Sequence, residues 1–177
     1  MKNYYLNRRH YFAASTYLIL LMIETGGRFS DCIYLKRKHI NEVTNTIFLD
    51  GNKNKHAKRT VKVAKECIDL LITFANNHPS SSEGYLFTHN GKLITNESIN
   101  KSIKQACSTL KIKRNITSHA FRHTHASYLI SQNINIYYIS KRLGHSDISM
   151  TLNKYGHLLE EVREKDEDKT ISLLRAL

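Results

Sequence analysis

The side chains best suited to chemistry crowd into one short stretch. "SHAFRHTHASYL", residues 118 to 129, brings His119, Arg122, His123 and His125 within seven positions. On a helix, His119 shares a face with Arg122 three residues on and nearly the same face with His123 four residues on. Two imidazoles at that spacing could begin a metal site. No Cys or carboxylate stands close enough to complete it, the flanking acids being Glu97 and Asp147, and the fixed cation Arg122 would repel a dication. A phosphate clamp needs different parts: a planar guanidinium that holds two phosphate oxygens, and an imidazole beside it that gives or takes a proton. A solvated helix face carrying His-x-x-Arg is the plainer alternative, so the rest of the chain must decide.

Composition favours a polyanion. The 177 residues carry 27 Lys plus Arg against 15 Asp plus Glu, a formal charge of +12. Six of those acids (Glu160, Glu161, Glu164, Asp166, Glu167 and Asp168) form a run near the C-terminus, which leaves residues 1 to 159 with 23 basic and 9 acidic side chains. Lysines and arginines that neutralise phosphates release condensed counterions, which makes a polyanion the natural partner, with DNA, RNA and an anionic membrane surface all open on charge alone. Cys32, Cys67 and Cys107 are widely spaced and odd in number, as expected of reduced, buried thiols in a cytosolic protein. The longest apolar run, "YLILLMI" at 17 to 23, is far too short to span a bilayer, and no signal peptide precedes it. The chain is therefore expected to be cytoplasmic, without membrane contact.

The elements that must position these residues are mostly helical. A largely buried helix is expected from about Arg9 to Thr25, stopped by Gly26 and Gly27, and a short one from Ser30 as N-cap through "DCIYLKRKH". "TNTIFLD" and "RTVKVA" read as two strands joined by the polar loop "GNKNKHAK". Helical spacing returns at 65 to 77, after Thr95 in "NESINKSIKQACSTL", and at roughly 118 to 131, 135 to 143 and 147 to 154, the helix at 135 to 143 closed by Gly144. The expected fold class is mainly α with a small antiparallel β-sheet, in a single domain with its core at about 10 to 160. The tail from 157 to 177 carries the amphipathic "ISLLRAL", which could dock on its own domain or on another copy.

Three further segments keep company with the histidine cluster. "TGGRFSDCIYL" places Arg28 just past a glycine-broken helix, "LDGNKNKHAKRTVKV" places Lys53 at a hairpin tip, and "RLGHSDISMTLNKYGHL" places His145 after a glycine stop and Tyr155 ten residues later. The order Arg, Lys, His-x-x-Arg, His, Tyr resembles the catalytic domain of the tyrosine recombinases, the family of phage and transposon integrases and chromosome-dimer resolvases. The likeness is nearest to integrases of Gram-positive mobile elements, and it covers about residues 10 to 160.

The resemblance implies a site-specific DNA recombinase that cuts and rejoins strands through a 3′-phosphotyrosyl intermediate, with no metal, cofactor or ATP. By it Tyr155 is the nucleophile, Arg28 and Arg122 grip the non-bridging oxygens, and His119 accepts or holds the tyrosine proton. His145 donates to a phosphate oxygen, and Lys53 protonates the leaving 5′ oxygen, with Lys55 the competing candidate. Asp31 supports the site from behind, and Lys55, Lys58 and Arg59 in the hairpin face DNA. His123 and His125 are left as structural. The implied partners are double-stranded DNA at attachment-type sites, three further copies in a tetramer formed on paired sites from a monomer, and an accessory directionality factor. Origin in a phage or other mobile element is expected too. The resemblance also implies an N-terminal core-binding domain, which is not expected within residues 1 to 177; these are expected to be either a fragment or a natural short form holding the catalytic domain alone. Rival outcomes are a type IB topoisomerase or telomere-resolvase-like strand transferase, and a catalytically silent DNA-binding regulator of the same fold.

Overall fold

The computed structural model describes residues 1–11, 13–51 and 58–175, the side chains of 160–165 and 168–169 excepted. Eight α-helices and five short strands occur among them. The centre is α2 (Ala14–Thr25), apolar on every side because neighbours cover every side, with Leu18, Ile19 and Leu21 fully buried. Against it lie α1 (Lys2–Leu6), α4 (Lys65–Asn77), α5 (Asn96–Thr109) and α6 (Ser118–Ser131). The stripe Cys67, Ile68, Leu71 and Phe74 on α4 faces this core, where Phe74 stacks on Tyr17 with ring centroids 4.3 Å apart.

The sheet is antiparallel in the order β1 (Ile40–Asn41), β2 (Thr46–Leu49), β3 (Arg59–Lys62). Ile47 pairs with Val61, and Ile47, Leu49 and Val61 turn inward while their alternates face out. A second hairpin joins β4 (Thr88–His89) and β5 (Lys92–Leu93) around Asn90 and Gly91, both at positive φ as a tight two-residue turn demands. The mainly helical fold with small antiparallel sheets is thus as expected, though β1 and this second hairpin go beyond the strand pair read from sequence.

Three helix boundaries differ from expectation. The helix expected from Arg9 starts at Ala14, because Arg9–Tyr11 is a separate 3-10 turn whose Arg9 carbonyl accepts the Tyr17 hydroxyl at 2.9 Å. The helix expected after Ser30 is α3 (Phe29–Cys32), capped by Asp31, whose carboxylate accepts the Arg28 N–H at 3.1 Å. The helix expected to end near 154 is α8 (Ser149–Leu174), which carries the tail in one continuous run. A smaller cluster of Ala126, Ile130, Ile139, Leu143 and Tyr155 welds α6 and α8 to α7 (Ile136–Leu143).

Candidate active site

Two glycine stops place the site's cations. Gly26 ends α2 at φ +66°, where a Cβ would sit 2.7 Å from the His125 ring, and at Gly27 a Cβ would lie 2.5 Å from Cys32 Sγ. Thr25 braces this corner, its hydroxyl donating to Leu21 O and accepting from Gly27 N–H. Arg28 emerges from it with a half-exposed side chain whose Nη1 lies 3.9 Å from Asp31. Gly144 closes α7 at φ +69°, and there a Cβ would meet Arg59 Nη1 at 2.7 Å.

Asparagines on α5 hold the entry of α6: Asn100 accepts the Ser118 N–H at 2.9 Å and Asn96 the Ser118 hydroxyl at 2.8 Å. One turn in, Arg122 is 3% exposed. Its Nη1 donates to the Gly26 carbonyl at 3.0 Å, while Nη2 is buried with no hydrogen-bond partner among the described residues. Burial, then the charges of Arg28 and Arg59, pull its guanidinium down to about 10. A buried donor left open costs free energy unless something arrives to accept it, and an anion's oxygen fits that role.

Tyr155 on α8 is 3% exposed, and its hydroxyl meets His123 Nδ1 at 3.1 Å. Burial raises the phenol while Arg122 and Arg28 pull it back. His119 lies one turn before His123, the rings edge to face at 4.7 Å. Burial lowers both imidazoles, with Lys154 and Arg122 adding to the effect on each. His145 is 7% exposed and its Nδ1 lies 2.7 Å from the Thr151 hydroxyl. Burial, then Arg122, Arg28 and Lys154, push it down to about 4, so it is neutral at pH 7.

The fold thus brings Arg28, His119, Arg122, His145 and Tyr155 into one electrostatic neighbourhood, drawn from the α2–α3 corner, α6, the α7 stop and α8. Asp31, expected to support the site, is 3% exposed and shared between Arg28 and Arg59. Arg59, expected to face DNA, turns inward instead. Its side chain is 8% exposed, Nη2 donates to Asp31 at 3.1 Å, and Nε donates at 2.7 Å to the Arg142 carbonyl, satisfying an otherwise open group in the last turn of α7. Lys58 does point outward, paired with Asp50 at 2.9 Å. Lys53 and Lys55 lie outside the described residues.

Of the two histidines set aside as structural, His125 sits as a packing residue would, with Nδ1–H donating to Ile23 O and Nε2 accepting from Arg142 Nε, both at 3.0 Å. His123 does not. The sequence carried one signal for it, its place one helical turn after His119. Lys154 was also passed over, although its charge acts on His119, His123 and His145. Among the described residues no three His, Cys, Asp or Glu side chains gather as a metal site.

Comparison with known proteins gives the family and the fold. The model of the phage integrase family matches residues 6–161. The chain belongs to that family. The integrase of Staphylococcus phage L54a is 27% identical over 175 residues, spanning 85% of this chain and 49% of the relative. Among solved structures, XerA recombinase superposes with a TM-score of 0.74 at 22% identity, covering 93% of this chain and 62% of that one. The catalytic domain of bacteriophage HP1 integrase gives a TM-score of 0.57 at 26% identity, over 81% of this chain and 74% of that domain. The chain spans about half the length of the curated integrase and recombinase relatives it matches.

Proposed function

We propose that this integrase-family chain cuts and rejoins DNA at specific sites by transesterification through Tyr155. The observation that carries the reading is a buried tyrosine within electrostatic reach of Arg122, whose Nη2 is a buried donor with no partner among the described residues. Tyr155 attacks the scissile phosphorus and keeps the 3′ phosphate as a phosphotyrosine, storing the bond for rejoining so that no ATP is needed. Arg122 and Arg28 hold the non-bridging oxygens as negative charge builds on them. The Thr151 hydroxyl stands 2.7 Å from His145 Nδ1, where by donating it would leave the imidazole proton on Nε2 to bind a phosphate oxygen. His119, on the same face of α6 as Arg122, adds a second imidazole beside the phosphate. Lys53 at the hairpin protonates the leaving 5′ oxygen, with Lys55 its competitor, and Lys58 meets the DNA backbone.

The working assembly on this reading is a tetramer on two paired attachment-type sites, formed from a monomer, in the cytoplasm of a cell that hosts a mobile element. A directionality factor would bias the outcome. Residues 1–177 act as one catalytic domain, and the "ISLLRAL" tail reaches a neighbouring copy. Exposed Ile171, Leu173 and Leu174 at the end of α8 support that reach. So does an apolar groove of about 580 Å³ beside Ile23, Ile112, Ile116, Phe121 and Leu129, a size and character that suit an aliphatic helix end. The test is covalent capture: end-labelled nicked duplexes from DNA flanking the gene, incubated in EDTA with the chain or with Tyr155→Phe and resolved on a denaturing gel. The chain forms an adduct and the variant forms none; an adduct with both would assign the chemistry to another residue.

A further inference from the structure

We propose that His123, not His119, takes the proton from Tyr155 as the nucleophile attacks. The inference rests on Tyr155 being that nucleophile and goes further, by naming the base. Tyr155 is only 3% exposed, and the side-chain atom standing 3.1 Å from its hydroxyl, placed to take the proton, is His123 Nδ1. That distance is within the reach expected of a general base before any substrate arrives. His119 is a full turn farther back on α6, its ring edge-on to His123. The charged and titratable groups around His123 are His119 and Arg122 on its own helix and Lys154 and Tyr155 on α8. All are cationic or neutral, and together with burial they favour the neutral ring, the form that can accept a proton.

The step balances. The bond from Tyr155 Oη to phosphorus forms as the bond from phosphorus to the 5′ oxygen breaks, and the Oη proton passes to Nδ1 to give an imidazolium. The electron pair of the broken bond goes to the 5′ oxygen, which takes a proton from the general acid assigned above to Lys53. In rejoining, the 5′ hydroxyl attacks, Oη leaves, and His123 returns its proton. His119 stays beside the phosphate and carries no proton from the phenol.

Two measurements test the assignment. The first needs no DNA. With nitrogen-15 in the histidines of the whole chain, the nitrogen shifts at neutral pH should show His123 neutral with its proton on Nε2, and the Nδ1 shift should move in Tyr155→Phe; a proton found on Nδ1 overturns the proposal. The second uses the nicked duplexes above. His123→Asn places an amide oxygen near Nδ1, which can hold the hydroxyl but cannot take its proton. Adduct formation should then slow about 100-fold, the scale of general-base catalysis. His123→Ala should slow as much and recover in proportion to added imidazole free base, which a merely structural role would not produce. Unchanged rates in both variants overturn His123 as base while leaving the nucleophile in place, whereas an adduct that survives Tyr155→Phe overturns both.

Discussion

Arg122 shows how much one side chain can be asked to do. It is buried, spends Nη1 on the Gly26 carbonyl, and keeps Nη2 unpaired among the described residues. Lysine offers a single point charge in place of that fork, so Arg122→Lys should cut adduct formation at least about 100-fold, as losing a donor to a developing oxyanion does, with a smaller change in thermal midpoint. Thr151→Val should act more gently. With its hydroxyl gone, His145 is free to carry its proton on either nitrogen, and cleavage should slow about tenfold while a circular-dichroism melt stays close to that of the parent. Much of this was legible in the sequence, because Arg28, His119, Arg122, His145 and Tyr155 sit in motifs that resemble those of the tyrosine recombinases. His123 was not, since its contact with Tyr155 bridges 32 residues and is set by how Ala126, Ile139 and Leu143 pack α6 against α8. Arg59 was misplaced for the same reason: the carboxylate and carbonyl that draw it inward come from Asp31 and Arg142, 28 and 83 residues away.

At the scale of elements, the stops and caps were the readable part. Gly26 and Gly144 adopt the left-handed conformation that a helix-ending glycine announces, and Thr95 and Asn135 cap α5 and α7 through their side chains, Thr95 from a position visible in the sequence. Gly26→Ala combines a positive φ with a 2.7 Å clash on His125, so it should cost about 1–3 kcal/mol in urea unfolding. Hidden elements were those with almost no local pattern. Two-residue strands such as β1, β4 and β5 have no alternation to display, and only the Asn90-Gly91 turn hinted at the second hairpin. The length of α8 was masked by an acidic run that breaks the apolar repeat without breaking the helix.

Across the molecule, two cations tie the strand next to the candidate general acid to the rest of the site. Arg59 joins β3 to Asp31 and α7, and Arg142 joins α7 to the Lys62 carbonyl on β3 and the Glu24 carbonyl on α2. Removing Arg59 leaves Asp31 buried with its charge largely uncompensated, so Arg59→Ala should destabilise the fold by about 3 kcal/mol in urea and also slow adduct formation. Acid should weaken the fold too. His125 and His145 are pushed to about 4 in the folded state, chiefly by burial, whereas the unfolded chain binds their protons near the ordinary value of 6.5. Above pH 6.5 neither state holds these protons and the pair is silent; as pH falls from 6.5 to 4 the unfolded state takes up more, so the urea midpoint drops. His145→Gln should flatten that slope in the same titration.

Tyr155 Oη is proposed as the atom that joins DNA, and mass spectrometry of the trapped adduct reads that bond itself. After nuclease trimming, trypsin cuts behind Lys154 and Arg163 and releases "YGHLLEEVR", a peptide with Tyr155 at its first position and no other tyrosine. A 3′-linked nucleotide on that residue is the expected result. The same mass on any other of the ten tyrosines would rule out Tyr155 as the nucleophile in this reaction, and a linkage through a 5′ phosphate would rule out the 3′-phosphotyrosyl intermediate.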